Sequence, residues 1–245
     1  MTGAFYIGTL INAGAIVLGA VAGMVRKTPM AADNQTFMKI VLGTATIFIG
    51  LKLTWVSLNG PIKSILLQLG LVLLAMTLGK LTGKLLRLQK SSNRLGHYAR
   101  ERIAAVPAGQ HGSPADGVNV CAALFCAAPL GILGATSEAL GGGPFALFVK
   151  AAMDGLAAFG FVSLFGWSVG LSALPVLAFQ GFISLLVGYL AQPWLEAHQL
   201  TASVNATVGL LIFCVSLLIF EVKRIEVADY LPSLIWAPLL TWWLR

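Results

Sequence analysis

The chain has 245 residues, of which 58% are hydrophobic and only 10% charged, with a mean hydropathy of +0.86. Soluble domains carry about 25% charged residues, and a chain this apolar has too little polar surface to cover itself in water. That excludes a soluble globular enzyme and predicts an all-α polytopic membrane protein. The net charge of +7 raises nucleic acid as a partner, but the excess is local. Lys80, Lys84, Arg87, Lys90, Arg94, Arg100 and Arg102 fall in one stretch opposed by Glu101 alone. The positive-inside rule leaves such clusters in cytoplasmic loops, so topology accounts for the charge and no nucleic-acid partner is expected.

Hydropathy marks about eight candidate spans, each near the ~20 residues a bilayer requires. They are Phe5–Val25, Phe37–Val56, Ile65–Leu81, Val118–Ala135, Phe145–Leu164, Leu171–Leu190, Val204–Phe220 and Tyr230–Leu244. Pro29, Gly60-Pro61, Gly143-Pro144, Pro193 and Asp229 punctuate the gaps. No basic segment precedes the first span, which therefore reads as a transmembrane helix rather than a signal peptide. Three blocks follow: residues 1–88 with three spans, a basic loop over 89–117, and residues 118–245 with five spans. Within the loop, Leu86–Ile103 reads as an amphipathic helix lying on the anionic leaflet, and Ala105–Gly117 as a flexible linker. If that loop is cytoplasmic, the Arg26-Lys27 and Lys223-Arg224 loops fall on the same side and both termini on the periplasmic side.

The fourth span contains Pro129, Gly131 and Gly134, which predict a kinked or interrupted helix. Gly141-Gly142-Gly143 then precedes a helix opened by Pro144, which reads either as a tight connecting turn or as an anion or carboxylate site on the free N–H groups of the helix start. Just ahead lie Ser137 and Glu138, the latter a candidate gate residue nearer the outer surface. In the fifth span, Lys150 and Asp154 stand at i, i+4 and share one helix face. Intramembrane charges are expensive, about 2.5–3.5 kcal/mol each on the mildest scale. The pair is therefore either a buried salt bridge fixing one helix arrangement or a substrate or proton-coupling site, the default reading for intramembrane charges. Asn12 in the first span and Gln180 in the sixth are lone mid-span amides that need partners. Lys150, Asp154, Asn12 and Gln180, with Glu138, Ser137, Gly142 and Gly143, are the candidate binding residues for a small solute or ion.

A repeat relates spans one to three with spans six to eight: Gly43–Gly50 aligns with Gly209–Ser216, and Asn12 with Gln180. Five crossings separate the copies, so they have opposite orientation, as in many secondary transporters. Stripes of small residues, such as Gly19 and Gly23 or Gly79 and Gly83, indicate close helix packing, and lipid-exposed packing faces predict a homodimer. Cys121, Cys126 and Cys214 lie in apolar segments and His97, His111 and His198 lack ligand spacing, so neither metal nor cofactor is expected. No catalytic signature appears, and the chain is not read as an enzyme.

The opening Ile7-Gly-Thr-Leu-Ile-Asn-Ala-Gly-Ala-Ile-Val-Leu-Gly19 resembles the YqgA/YdfK-like bacterial membrane proteins, a domain-of-unknown-function family. The resemblance extends through Gly131–Gly141, Lys150–Gly155, Ala173–Gly181 and Val227–Pro232. In that family an acid commonly follows the glycine near positions 138–143, where this chain has Gly142-Gly143. The resemblance implies a bacterial inner-membrane location and carries no activity with it. A secondary transporter, a passive channel and a membrane scaffold all remain open.

Overall fold

A computed structural model describes residues 7–26, 28, 30–107, 109–223 and 225–244. The start of the first expected span, and Lys27, Pro29 and Arg224, lie outside the described residues. Those described are helical, without a strand: α1 (Ile7–Val25), α2 (Ala32–Ser57), α3 (Ile62–Leu86), α4 (Leu88–Ala104), α5 (Pro114–Ala127), α6 (Pro129–Ala139) and α7 (Phe145–Phe165). A 3-10 stretch, Gly166–Ser172, leads into α8 (Ala173–Leu185), which passes through a π-helical Leu186–Ala191 into α9 (Gln192–Ala197). The chain ends in α10 (Thr201–Ile219), α11 (Val227–Tyr230) and α12 (Ser233–Trp243).

Five helical runs are long and apolar enough to cross a membrane: α1, α2, α3, the run Phe145–Ala197, and α10. The pair α5 and α6 passes the same test only as a unit, because it bends by 60° at Ala128. The difference from the eight expected spans has three physical sources. Pro129 splits the fourth span. The fifth and sixth fall in one helical run interrupted at Gly166, where φ is +67°. The last is only 11 residues long as α12, with Pro238 inside it. The amphipathic helix expected over Leu86–Ile103 is α4, set off from α3 by Arg87 in the left-handed region. The expected flexible linker is shorter than its composition suggests. Ser113 caps α5 by accepting from the Asp116 N–H at 3.1 Å, Pro114 occupies the first turn, and Gly112 donates to the Leu164 carbonyl at 2.8 Å.

The bundle is apolar outside as well as within. Two clusters of buried apolar side chains, around Leu133 and Leu211 and around Ile16 and Phe125, are joined by buried small and polar residues, while many large apolar side chains remain exposed. On α1 the buried residues are Gly8, Thr9, Asn12, Ile16 and Ala20, while Leu10 and Leu18 are exposed. Without a hydrophobic drive between helices in lipid, close packing of small residues does the joining. Gly8 meets Leu147, Gly19 meets Gly155 and Gly23 meets Phe159, so α1 and α7 run parallel along their length. Gly50 meets Gly209 and Gly43 meets Phe220, so α2 and α10 run antiparallel. Likewise Gly79 meets Ser233 and Gly83 meets Asp229, which sets α3 against α11 and α12. Helices from before and after the basic stretch therefore intercalate in one body.

Polar contacts lock the ends. Asp229 accepts from the Gln89 N–H at 2.8 Å, while the Gln89 side chain accepts from the Ala228 N–H at 3.1 Å, tying the start of α4 to α11. At the entry to α2, Lys39 pairs with Glu221 at 2.6 Å, and that ammonium holds the Glu221 carboxyl below its ordinary range.

A side chain at Gly19 would strike the Gly155 backbone, whereas Gly14 on the same helix faces open space. Gly19→Leu is expected to destabilise the detergent-solubilised protein by about 1–3 kcal/mol, the usual range for overpacking. Gly14→Leu leaves the melting temperature unchanged, as thermal unfolding of both variants will test.

Candidate functional site

The break between α5 and α6 generates the site. Proline lacks an N–H, so Pro129 cannot bond the carbonyl four residues back, which is that of Phe125. Lys150 on α7 takes up that freed oxygen: its Nζ donates to the Phe125 carbonyl at 2.9 Å and to Asp154 Oδ2 at 2.6 Å. Asn12 on α1 donates its Nδ2 to the same Asp154 oxygen at 3.1 Å. The i, i+4 pair expected from the sequence is thus formed, and α1, α5 and α7 meet on it. Its side chains are 2% and 8% exposed, so both charges are removed from solvent and lipid alike.

Gln180 on α8 completes the cluster. A Cβ at Gly131 would lie 2.9 Å from Lys150 Cε and 3.3 Å from Gln180 Nε2, so the bare backbone of α6 is where these two side chains come together. Gln180 is fully buried, and neither of its amide atoms has a hydrogen-bond partner among the described residues. The Oδ1 of Asn12 is unpartnered in the same way. Leaving a buried polar group unsatisfied costs about 1–3 kcal/mol, and here such groups flank an ion pair. Spare donors and spare acceptors therefore converge on one small volume.

Ser137, Glu138, Gly142 and Gly143 stand apart from this cluster. Glu138 lies two turns beyond Gly131 on α6, about 10 Å along the axis. Its Oε1 accepts from the Gly8 N–H at 2.8 Å, placing a carboxylate at the positive end of the α1 dipole. Gly142 donates to the Ser137 carbonyl at 2.8 Å, closing the turn after α6, and Gly143 has φ +86°. Beside this turn, Lys52 lies 5.6 Å from the Phe145 ring centre.

A cleft of about 940 Å³ is lined in part by the helix break at Ala128, and neither Lys150 nor Asp154 is among its lining residues. Leu124, Ala127 and Ala128 form part of its wall, and α4 contributes Gln89, Ser92, Asn93 and Arg100. Two features of the site escape sequence reasoning: the Phe125 carbonyl, because backbone groups have no sequence signature, and the cleft, because it is built from five helices. Pro129 was the available signal for the first. Among the described residues no three His, Cys, Asp or Glu side chains converge to hold a metal ion.

Removing one partner of a buried ion pair leaves an uncompensated charge, at a typical cost of about 3–5 kcal/mol. Lys150→Met and Asp154→Asn singly are each expected to lower the unfolding temperature in detergent. The double variant recovers a large part of the loss, giving a favourable coupling energy in the double-mutant cycle. Additive losses would show that the pair is not coupled.

Comparison with known proteins sets this architecture in a family. The chain is 29% identical to an uncharacterized protein, YqgA, of Escherichia coli (strain K12), over 97% of each chain. It is 25% identical to an uncharacterized membrane protein, YdfK, of Bacillus subtilis (strain 168), over 95% of this chain and 94% of that one. No solved structure matches it. The profile of the family described as "Protein of unknown function (DUF554)" matches residues 7–242, and with that coverage the chain belongs to the DUF554 family.

Proposed function

We propose that this integral membrane protein is a secondary transporter of a small solute, bound between Lys150, Asp154, Asn12 and Gln180. The observation that carries the reading is the buried pair at a helix break beside a fully buried, unpartnered Gln180. Replacing a buried ion pair with apolar side chains is often neutral or stabilising. A pair that served only to hold helices together would be a costly device, and an unsatisfied amide next to it adds to the cost. A solute with its own acceptor and donor relieves both. Asp154 is the group that titrates during transport and Lys150 is its counter-charge.

The helix directions support eight crossings and an inverted repeat. With α1 parallel to α7, α2 antiparallel to α10, and α3 antiparallel to α12, alternating crossings require α5 with α6 to make one pass and α8 another. Spans one to three then correspond to α8, α10 and α12 in opposite orientation, and Asn12 and Gln180 take matching places in the two copies. Broken helices at the repeat interface are a recurring place for transporter sites. The basic α4 faces the cytoplasm of a bacterial inner membrane on this reading, with both termini outside. The lipid-exposed face of α3 serves a homodimer.

Enclosure of the pair favours alternating access over a passive channel, because a conducting pore would leave these charges in contact with water. In proteoliposomes, Asp154→Asn is expected to abolish solute movement driven by a proton or sodium gradient while the protein stays monodisperse. Single-channel currents in a planar bilayer would instead establish the channel.

A further inference from the structure

We infer that the solute is a small monovalent anion, drawn in through the basic cleft and carried with one proton so that the central site stays neutral. This rests on the transporter reading of the Lys150–Asp154 site and adds its substrate class and stoichiometry.

The cleft lined in part by the α5–α6 break carries Lys80, Arg100 and Lys223 on its wall, opposed by Glu226, with His97 beside them. A cleft of one dominant sign with low-dielectric walls concentrates ions of the opposite sign. Gln89, Ser92 and Asn93 add uncharged hydrogen-bonding groups along it. Anions therefore gather against Ala127 and Ala128, one turn from the carbonyl that holds Lys150.

Charge balance fixes what happens beyond that wall. With Lys150 an ammonium and Asp154 a carboxylate, the buried site is neutral. An anion entering alone would leave a net charge in a medium that strongly disfavours it. If Asp154 takes a proton from a hydronium ion that enters with the anion, its O–H forms, a neutral water is left, and Lys150 is freed from the ion pair. The freed ammonium then pairs with the anion, and the site is neutral again. Release reverses each step, so proton and anion leave together and no other bond is made or broken. Two of the three Lys150 N–H groups are used in the closed structure, and the third, with the Gln180 amide, is available to an anion. A cation would sit beside the same ammonium.

The groups around Asp154 fit a proton acceptor. Lys150 faces it from its own helix, Asn12 from α1 and the Phe125 carbonyl, through Lys150, from α5; Gln180 of α8 lies at Lys150. Cys126 on α5 is a second titratable group close enough to feel both charges, and among the described residues no other charged side chain acts on Asp154.

The test uses the purified protein in liposomes containing a pH-sensitive dye, with valinomycin and potassium clamping the potential. Potassium pyruvate or lactate, and potassium nitrate or chloride, are added outside to separate organic from inorganic anions. At least one of the two classes is expected to acidify the lumen faster than in protein-free liposomes, at a rate independent of the clamped potential. Asp154→Asn eliminates that acidification. The rim variant Arg100→Gln/Lys223→Gln, away from the buried pair, raises the half-saturating anion concentration roughly tenfold with an unchanged maximal rate, as loss of electrostatic steering requires. A rate that follows the imposed potential overturns electroneutral coupling. Uptake of labelled alanine or choline without anion uptake overturns the anion while leaving the transporter reading intact. A wild-type protein that moves none of these solutes overturns both.

Discussion

The hydrogen bond from Lys150 to the Phe125 carbonyl joins the two most expensive features of this membrane protein. One is an ammonium held away from water. The other is a helix broken at Pro129, which strands a backbone acceptor inside the bundle. Each supplies what the other lacks, since Lys150 has donors and no acceptor while Phe125 offers an acceptor with no N–H to meet it. Asp154 then balances the charge, and Asn12 brings α1 onto the same oxygen. Without the break Lys150 would lose one partner, and without Lys150 the break would expose a buried carbonyl.

The packing of the bundle serves that junction. Small residues let α1 lie close along α7, which brings Asn12 within 3.1 Å of Asp154, and the absence of a side chain at Gly131 makes room for the Lys150 stem and the Gln180 amide. Large apolar side chains such as Leu133, Leu147 and Leu211 fill the interior, and others such as Leu18, Leu66 and Leu174 are exposed on the outer surface. At the rim, Asp229 and Gln89 tie the start of α4 to α11, and α4 forms one wall of the cleft.

Much of this was legible in the sequence because membrane burial makes polar residues conspicuous. Lys150, Asp154, Asn12 and Gln180 stand out from apolar surroundings, and the helical spacing of the first two settles that they meet. Pro129 with Gly131 announced the broken helix. Ser137, Glu138 and the glycine turn were harder to place. Their chemistry resembles that of a site, but position along α6, which sequence spacing does not convert into neighbours on other helices, sets them two turns away. The span count was blurred for a related reason: hydropathy registers apolar length, not the bend at Ala128 or the near-continuous helix through Gly166.

On the proposed transporter reading, the break at Ala128 is where water-borne solute meets a membrane-buried charged pair. Site-directed labelling tests it directly. In a protein freed of Cys121, Cys126 and Cys214, Ala128→Cys should react with a charged, membrane-impermeant thiosulfonate added from the α4 side. Leu174→Cys, at an exposed apolar position on α8, should remain unmodified. An Ala128→Cys protein as unreactive as the Leu174→Cys control from both sides of the membrane would contradict the account.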